Sequence, residues 1–90
     1  MDRRARIEAL LRAAFAPPEL EVTDESAAHR GHAGAADGAG HFRVRMTSER
    51  FLGVSRVARH RLVYDALRSE LGGEIHALAL DLRGPDDASF

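Results

Sequence analysis

Apolar residues along the first fifteen positions recur with a helical period. Ile7, Leu10, Leu11, Ala14 and Phe15 fall at i, i+3, i+4, i+7 and i+8 and form one stripe, with Arg3, Arg4, Glu8 and Arg12 mostly on the wet side. Asp2 suits the N-cap of a helix starting at Arg3, because its carboxylate accepts from free first-turn amides. Pro17-Pro18 ends that helix, since neither residue has an amide to continue the ladder. The period then shortens to two. Leu20, Val22 and Asp24 alternate with Glu21 and Thr23, and Phe42, Val44 and Met46 alternate with His41, Arg43 and Arg45. These are two short strands, the second running from His41 to Ser48. The intervening stretch 27–40 is almost wholly alanine and glycine apart from His29, Arg30, His32 and Asp37. The flanking strands are expected to pair as an antiparallel hairpin around a long loop, of a length usually functional or disordered.

A turn at Phe51-Leu52-Gly53-Val54 leads to Ser55, a good N-cap for a second helix. At 100° per residue, Val57, His60, Val63, Tyr64, Leu67 and Leu71 share one stripe, and Gly72-Gly73 suits a left-handed C-cap. Ile75 to Leu82 reads as a third strand, in which Leu78, Leu80 and Leu82 have the parity of His76. About 26 residues containing a helix join strands two and three, a length that suits a right-handed crossover between parallel strands. The expected fold is α/β (α+β): helix, strand, strand, helix, strand. Two helices cover one face of a three-stranded mixed sheet in a single domain over residues 1–83, with a flexible tail at 84–90.

Composition narrows the function classes. Ninety residues with a formal net charge of −1 give no bulk attraction to nucleic acid or an anionic membrane. All thirteen basic side chains are arginine, and the chain has no cysteine, so a disulfide framework or a thiolate site built by this chain alone is excluded. The longest apolar run is too short to span a bilayer. The arginine-rich start superficially suits a transit peptide, but it reads better as the first helix of the core. A cytoplasmic protein is expected.

The predicted topology concentrates histidines. If strands two and three are parallel neighbours, His41 and His76 open them side by side, and the loop carrying His29 and His32 hangs over the same end. Imidazole is a common metal ligand, and a flexible loop can bring its nitrogen within the ~2.0–2.1 Å that zinc requires. On this reading His76 with His29 or His32 is the candidate pair. His41 reads as a boundary residue, and His60 as a satisfied core residue. Two histidines without cysteine make half a site, and two imidazoles on one iron of an iron–sulfur cluster would leave the sulfur ligands to a partner. A zinc site built from histidines alone is a further alternative.

Arg56, Arg59 and Arg61 crowd the start of the second helix, where the dipole disfavours positive charge, so an anion or acidic surface nearby would rationalise them. With Arg43 and Arg45 they form a candidate partner or nucleic-acid surface. The nucleic-acid reading lacks a GxxG loop with basic flanks and an aromatic stacking platform. Enzyme readings find no nucleophile elbow, P-loop or dinucleotide fingerprint, and a non-enzymatic role is expected.

The segments LEVTDESAAH (20–29), GHFRVRMTSERFLG (40–53), RHRLVYDAL (59–67) and IHAL (75–78) together resemble the BolA family, roughly from Arg6 to Leu82. The resemblance implies a KH-like domain of the topology argued above. It also implies a monothiol glutaredoxin partner, with which a [2Fe-2S] cluster is bridged, the partner's cysteine and its bound glutathione supplying thiolates. By position, His76 would be the C-terminal histidine ligand and His29 the loop ligand, with His32 as the alternative. A role in cluster trafficking or in iron and stress signalling follows. The isolated chain is then expected to be a monomer or weak homodimer without cofactor. Some members of the family are described as transcriptional regulators, which makes DNA binding through Arg43, Arg45, Arg56 and Arg59 the second expectation.

Overall fold

The computed structural model describes residues 2–25 and 40–71, the backbone of 75–77, and residues 78–87. Helix α1 spans Arg3–Phe15, with Asp2 capping it by accepting from the Ala5 amide at 2.8 Å. Ile7, Leu11 and Phe15 are its buried face. The helix ends at Ala16, whose φ of 43° turns the chain left-handed just ahead of the two prolines.

Strand β1 (Glu19–Asp24) pairs antiparallel with β2 (Gly40–Thr47), and β2 pairs parallel with β3 (Ile75–Arg83), giving the order β1-β2-β3. The fold is therefore α+β with a mixed sheet, as the sequence pattern predicts. Val22, Phe42, Val44, Met46 and Leu82 are buried on the helix side with Phe51, Val63 and Leu67. Fully burying a side chain the size of Phe51 is worth roughly 1.5–3 kcal/mol.

Between β2 and β3 a single 3₁₀ turn, Glu49–Phe51, precedes helix α2, Arg56–Ala66. Ser48 joins several elements. Its hydroxyl donates to the Phe15 carbonyl at 2.7 Å and accepts from the Arg50 amide, while its own amide donates to the Arg83 carbonyl at 2.9 Å. Gly53 takes the positive φ of 71° that the turn requires. Ser55 caps α2 by accepting from the Ala58 amide.

Helix α2 departs from its predicted face. Val63 and Leu67 are buried as expected, but Val57 and Tyr64 are 62% and 42% exposed. The reason is Arg59, which precedes Val63 by one turn and takes the inward position that an apolar count assigns elsewhere. Its Nε donates to the Val54 carbonyl at 2.8 Å and its guanidinium to the Leu82 carbonyl at 3.1 Å and the Asp87 carboxylate at 2.6 Å. The guanidinium also stands 5.8 Å from the centre of the Phe51 ring, within cation–π range. At the far end Glu70, nearly buried, accepts from Arg6 at 2.9 Å and ties the end of the α2 segment to α1. The helix stops at Ala66, short of Leu71, and the chain turns so that Glu70 meets Arg6. The predicted glycine cap at 72–73 lies outside the described residues.

The fraying expected from Gly84 does not begin there. Residues 84–87 form a turn in which the Asp87 carboxylate accepts from both Arg59 and the Gly84 amide. Among the described residues no helix is long and apolar enough to cross a membrane.

Candidate functional site

Parallel pairing sets the N-terminal ends of β2 and β3 side by side, with Gly40 opposite Ile75 and His41 opposite Ala77. One residue opposes nothing. His76 is the additional residue of a bulge, a device that bends a strand and locally breaks its ladder. The parity expected to run from Leu82 back to His76 therefore does not carry across this point. The site's backbone is nevertheless placed as the topology predicts, with His41 and His76 at one end of the sheet.

The same end holds the neck of the hairpin. The Glu25 amide donates to the His41 carbonyl at 2.7 Å, one step beyond the Asp24–Phe42 pair of the ladder. His29 and His32 lie outside the described residues. In sequence His29 is only four residues past Glu25, a tether of at most about 14 Å. Gly40 packs tightly at this neck, because a Cβ there would meet the Phe42 ring and stand 2.9 Å from an Arg3 guanidinium nitrogen. His41 is half-buried with its Nε2 sheltered from solvent, in keeping with a boundary residue. His60 is also half-buried, but it borders a solvent cavity and does not sit within the core. Among the described residues no group of three or more His, Asp or Glu comes together as a metal site.

The predicted cationic surface separates into different roles. Arg59 acts as a structural tie, with 15% of its side chain exposed and its Nε and one terminal nitrogen donating to two carbonyls and to Asp87. Arg43 meets Glu25 at 3.1 Å. The open sheet face alternates in charge across the strands, with Arg45 standing between Glu21 and Asp81 in register and Arg83 pairing with Asp81 at 3.2 Å. Such a face is largely self-neutralised. Arg56 and Arg61, both exposed on α2, remain as outward cations.

Beside them, α2 and the C-terminal half of β3 enclose a cavity of about 290 Å³, lined by Arg56, Arg59, His60, Leu80–Arg83 and Asp87. Sequence reading missed this cleft, for which the only signal is the pair of aspartates that Arg59 and Arg83 neutralise. The Arg59 guanidinium, by hydrogen bonding, holds the Asp87 carboxyl below the usual aspartate range, with the Gly84 amide adding to the effect.

Comparison with known proteins agrees with the fold. The BolA-like protein family matches residues 11–87. The chain is 49% identical over 77 residues to the DNA-binding transcriptional regulator BolA of Escherichia coli (strain K12), covering 86% of this chain and 70% of that one. It is 47% identical over 81 residues to mouse BolA-like protein 1, covering 90% of this chain but 57% of the relative, so it spans little over half of that protein. The BolA domain of SufE1 from Arabidopsis thaliana superposes with a TM-score of 0.84 at 41% identity over 98% of both chains.

Proposed function

Since the chain belongs to the BolA family, we propose that it is an adaptor that binds a monothiol glutaredoxin and co-ligates a bridging [2Fe-2S] cluster. His76 and one loop histidine, His29 or His32, supply the imidazoles. The glutaredoxin cysteine and glutathione supply the thiolates, which a chain without cysteine lacks. The observation that carries this reading is the parallel β2–β3 register, which brings the His76 bulge beside the neck from which the 26–39 segment departs. The donor chemistry fits the group: two nitrogen ligands from one protein complement two sulfur ligands from another. When bound, the cluster would supply an iron–sulfur unit shared between the two proteins. The role of this chain is to hold its imidazoles at one sheet end and to present a surface to the partner.

Co-expression with a monothiol glutaredoxin and glutathione tests the reading. The pair should co-purify with visible charge-transfer absorbance, and His76→Ala should abolish or destabilise it. An unchanged spectrum in that variant rejects His76 as a ligand. His29→Ala and His32→Ala, compared singly, identify the loop ligand. Trafficking, iron signalling and stress response are downstream roles of the same complex.

A second reading, DNA-binding transcriptional regulation, is favoured by the name of the Escherichia coli relative and by the exposed Arg56 and Arg61. The charge-balanced sheet face leaves α2 as the contacting element, in place of Arg43 and Arg45. Sequence-selective binding by the isolated chain that Arg56→Ala weakens supports this reading. Binding that is unselective and vanishes at physiological salt rejects it.

A further inference from the structure

We infer that the free edge of β3 is a docking site for an extended acidic peptide of a protein partner, which adds a fourth strand beside Leu78–Leu80. The surface occupies the middle of β3, beginning two residues past His76, and draws on strand backbone groups and not on the histidines.

The edge is defined by two bonds. The Ser48 amide reaches the Arg83 carbonyl from the β2 side, so the polar groups of Arg83 face inward and, by strand alternation, those of Leu82, Leu80 and Leu78 face outward. The Arg59 bond to the Leu82 carbonyl agrees with this assignment. Among the described residues no strand pairs on that side. The cavity beside α2 is lined by four consecutive strand residues, Leu80 to Arg83. A cavity on one sheet face meets alternate residues, so a consecutive run marks an opening onto the edge itself. Arg59 closes this edge at Leu82, a protective device of the kind that limits indiscriminate strand pairing. Among the described residues no group is bonded to the outward N–H and C=O of Leu78 and Leu80, which are open to a partner backbone.

Charge selects the occupant. In the cleft, Asp81 and Asp87 are matched by Arg83 and Arg59, at 3.2 and 2.6 Å. Arg56 has no acidic partner among the described residues, and the first turn of α2 carries no acidic residue to balance the helix dipole. A carboxylate from an added strand meets both needs. A second copy of this chain would bring an edge whose nearby carboxylates, Asp81 and Asp87, are already matched by Arg83 and Arg59. Nucleic acid satisfies the cations but lacks the alternating N–H and C=O groups that a strand edge recognises.

The probe is a soluble, capped Glu-Val-Glu-Val-Glu-Val peptide titrated into the isotope-labelled full chain and followed by amide exchange. Two control peptides are N-methylated, one at every valine and the other at every glutamate. Amide exchange at Leu78 and Leu80 is expected to slow by about tenfold or more at saturation, while Ala79 and Asp81, already in the ladder, change little. One methylation pattern should abolish binding and the other preserve it, because a strand pairs along a single edge. Arg56→Ala should weaken binding by about fivefold, the value of a modest ion pair. The inference is overturned if the Leu78 and Leu80 amides exchange unchanged, or if both methylated peptides bind like the parent, which would indicate charge attraction alone. It is equally overturned if a duplex oligonucleotide protects these amides better than the peptide, or if raising the chain's own concentration does so without peptide.

Discussion

The two ends of β3 are built by opposite means. At the C-terminal end, backbone groups are claimed: Arg83 by Ser48, Leu82 by Arg59, and Asp87 folded back onto both Arg59 and Gly84. At the N-terminal end the ladder breaks at a bulge, and the residue left over is His76. One end spends polar groups on the fold, whereas the other carries, at the bulge, a residue type suited to ligation. A small domain with limited core keeps both properties by placing them roughly 20 Å apart along one strand.

The largest expected effect breaks the clamped end. Arg59→Ala should lower unfolding free energy by about 2 kcal/mol in urea titrations, since it strips several charge-assisted bonds and leaves two part-buried carbonyls unmatched. Arg59→Lys should recover little of this, because one ammonium cannot span three acceptors. Gly40→Ala comes close behind, at about 2 kcal/mol, as its Cβ drives into the Phe42 ring. It sharpens the comparison because it strains the neck of the histidine end while leaving the clamp intact. Ser48→Ala should cost about 1–2 kcal/mol through the bond lost to the Phe15 carbonyl.

Acid should act on the clamped end through Asp87. The folded Asp87 carboxyl is held below its ordinary range, so its contribution is present at neutral pH. It is lost as pH falls from the usual aspartate value through the lower folded value. Asp87→Asn should flatten that part of the stability–pH profile, measured by thermal melts between pH 5 and 2. The smallest effect on stability is expected for His76→Ala, within about 0.5 kcal/mol, since the residue left over at the bulge holds no place in the ladder register. The same change should remove the visible absorbance expected of the proposed complex with a glutaredoxin.

Much of the architecture is legible in the residue pattern. The alternation of Phe42, Val44 and Met46 identifies β2 and its buried face, and the crossover length correctly implies parallel pairing with β3. Helix α2 is less legible because Arg59 points inward. A scale that counts arginine as polar turns the helix toward Val57 and Tyr64, and the tertiary acceptors that overrule it come from Val54, Leu82 and Asp87, partly remote in sequence. The bulge is invisible for a related reason. IHALAL alternates without interruption, and only pairing with Gly40 and His41 shows that one residue is extra. Asp87 looks like tail sequence until Arg59 is found to reach it.

The bond from Glu25 to the His41 carbonyl carries a consequence for how this scaffold can vary. It locks both stems of the hairpin before the 26–39 segment departs, so register no longer depends on how many residues the segment contains. Doubling such a segment adds only about 0.6 kcal/mol of closure entropy. Insertions and deletions there can retune the reach of an imidazole while the sheet stays in step, much as an adjustable arm turns on a fixed mount.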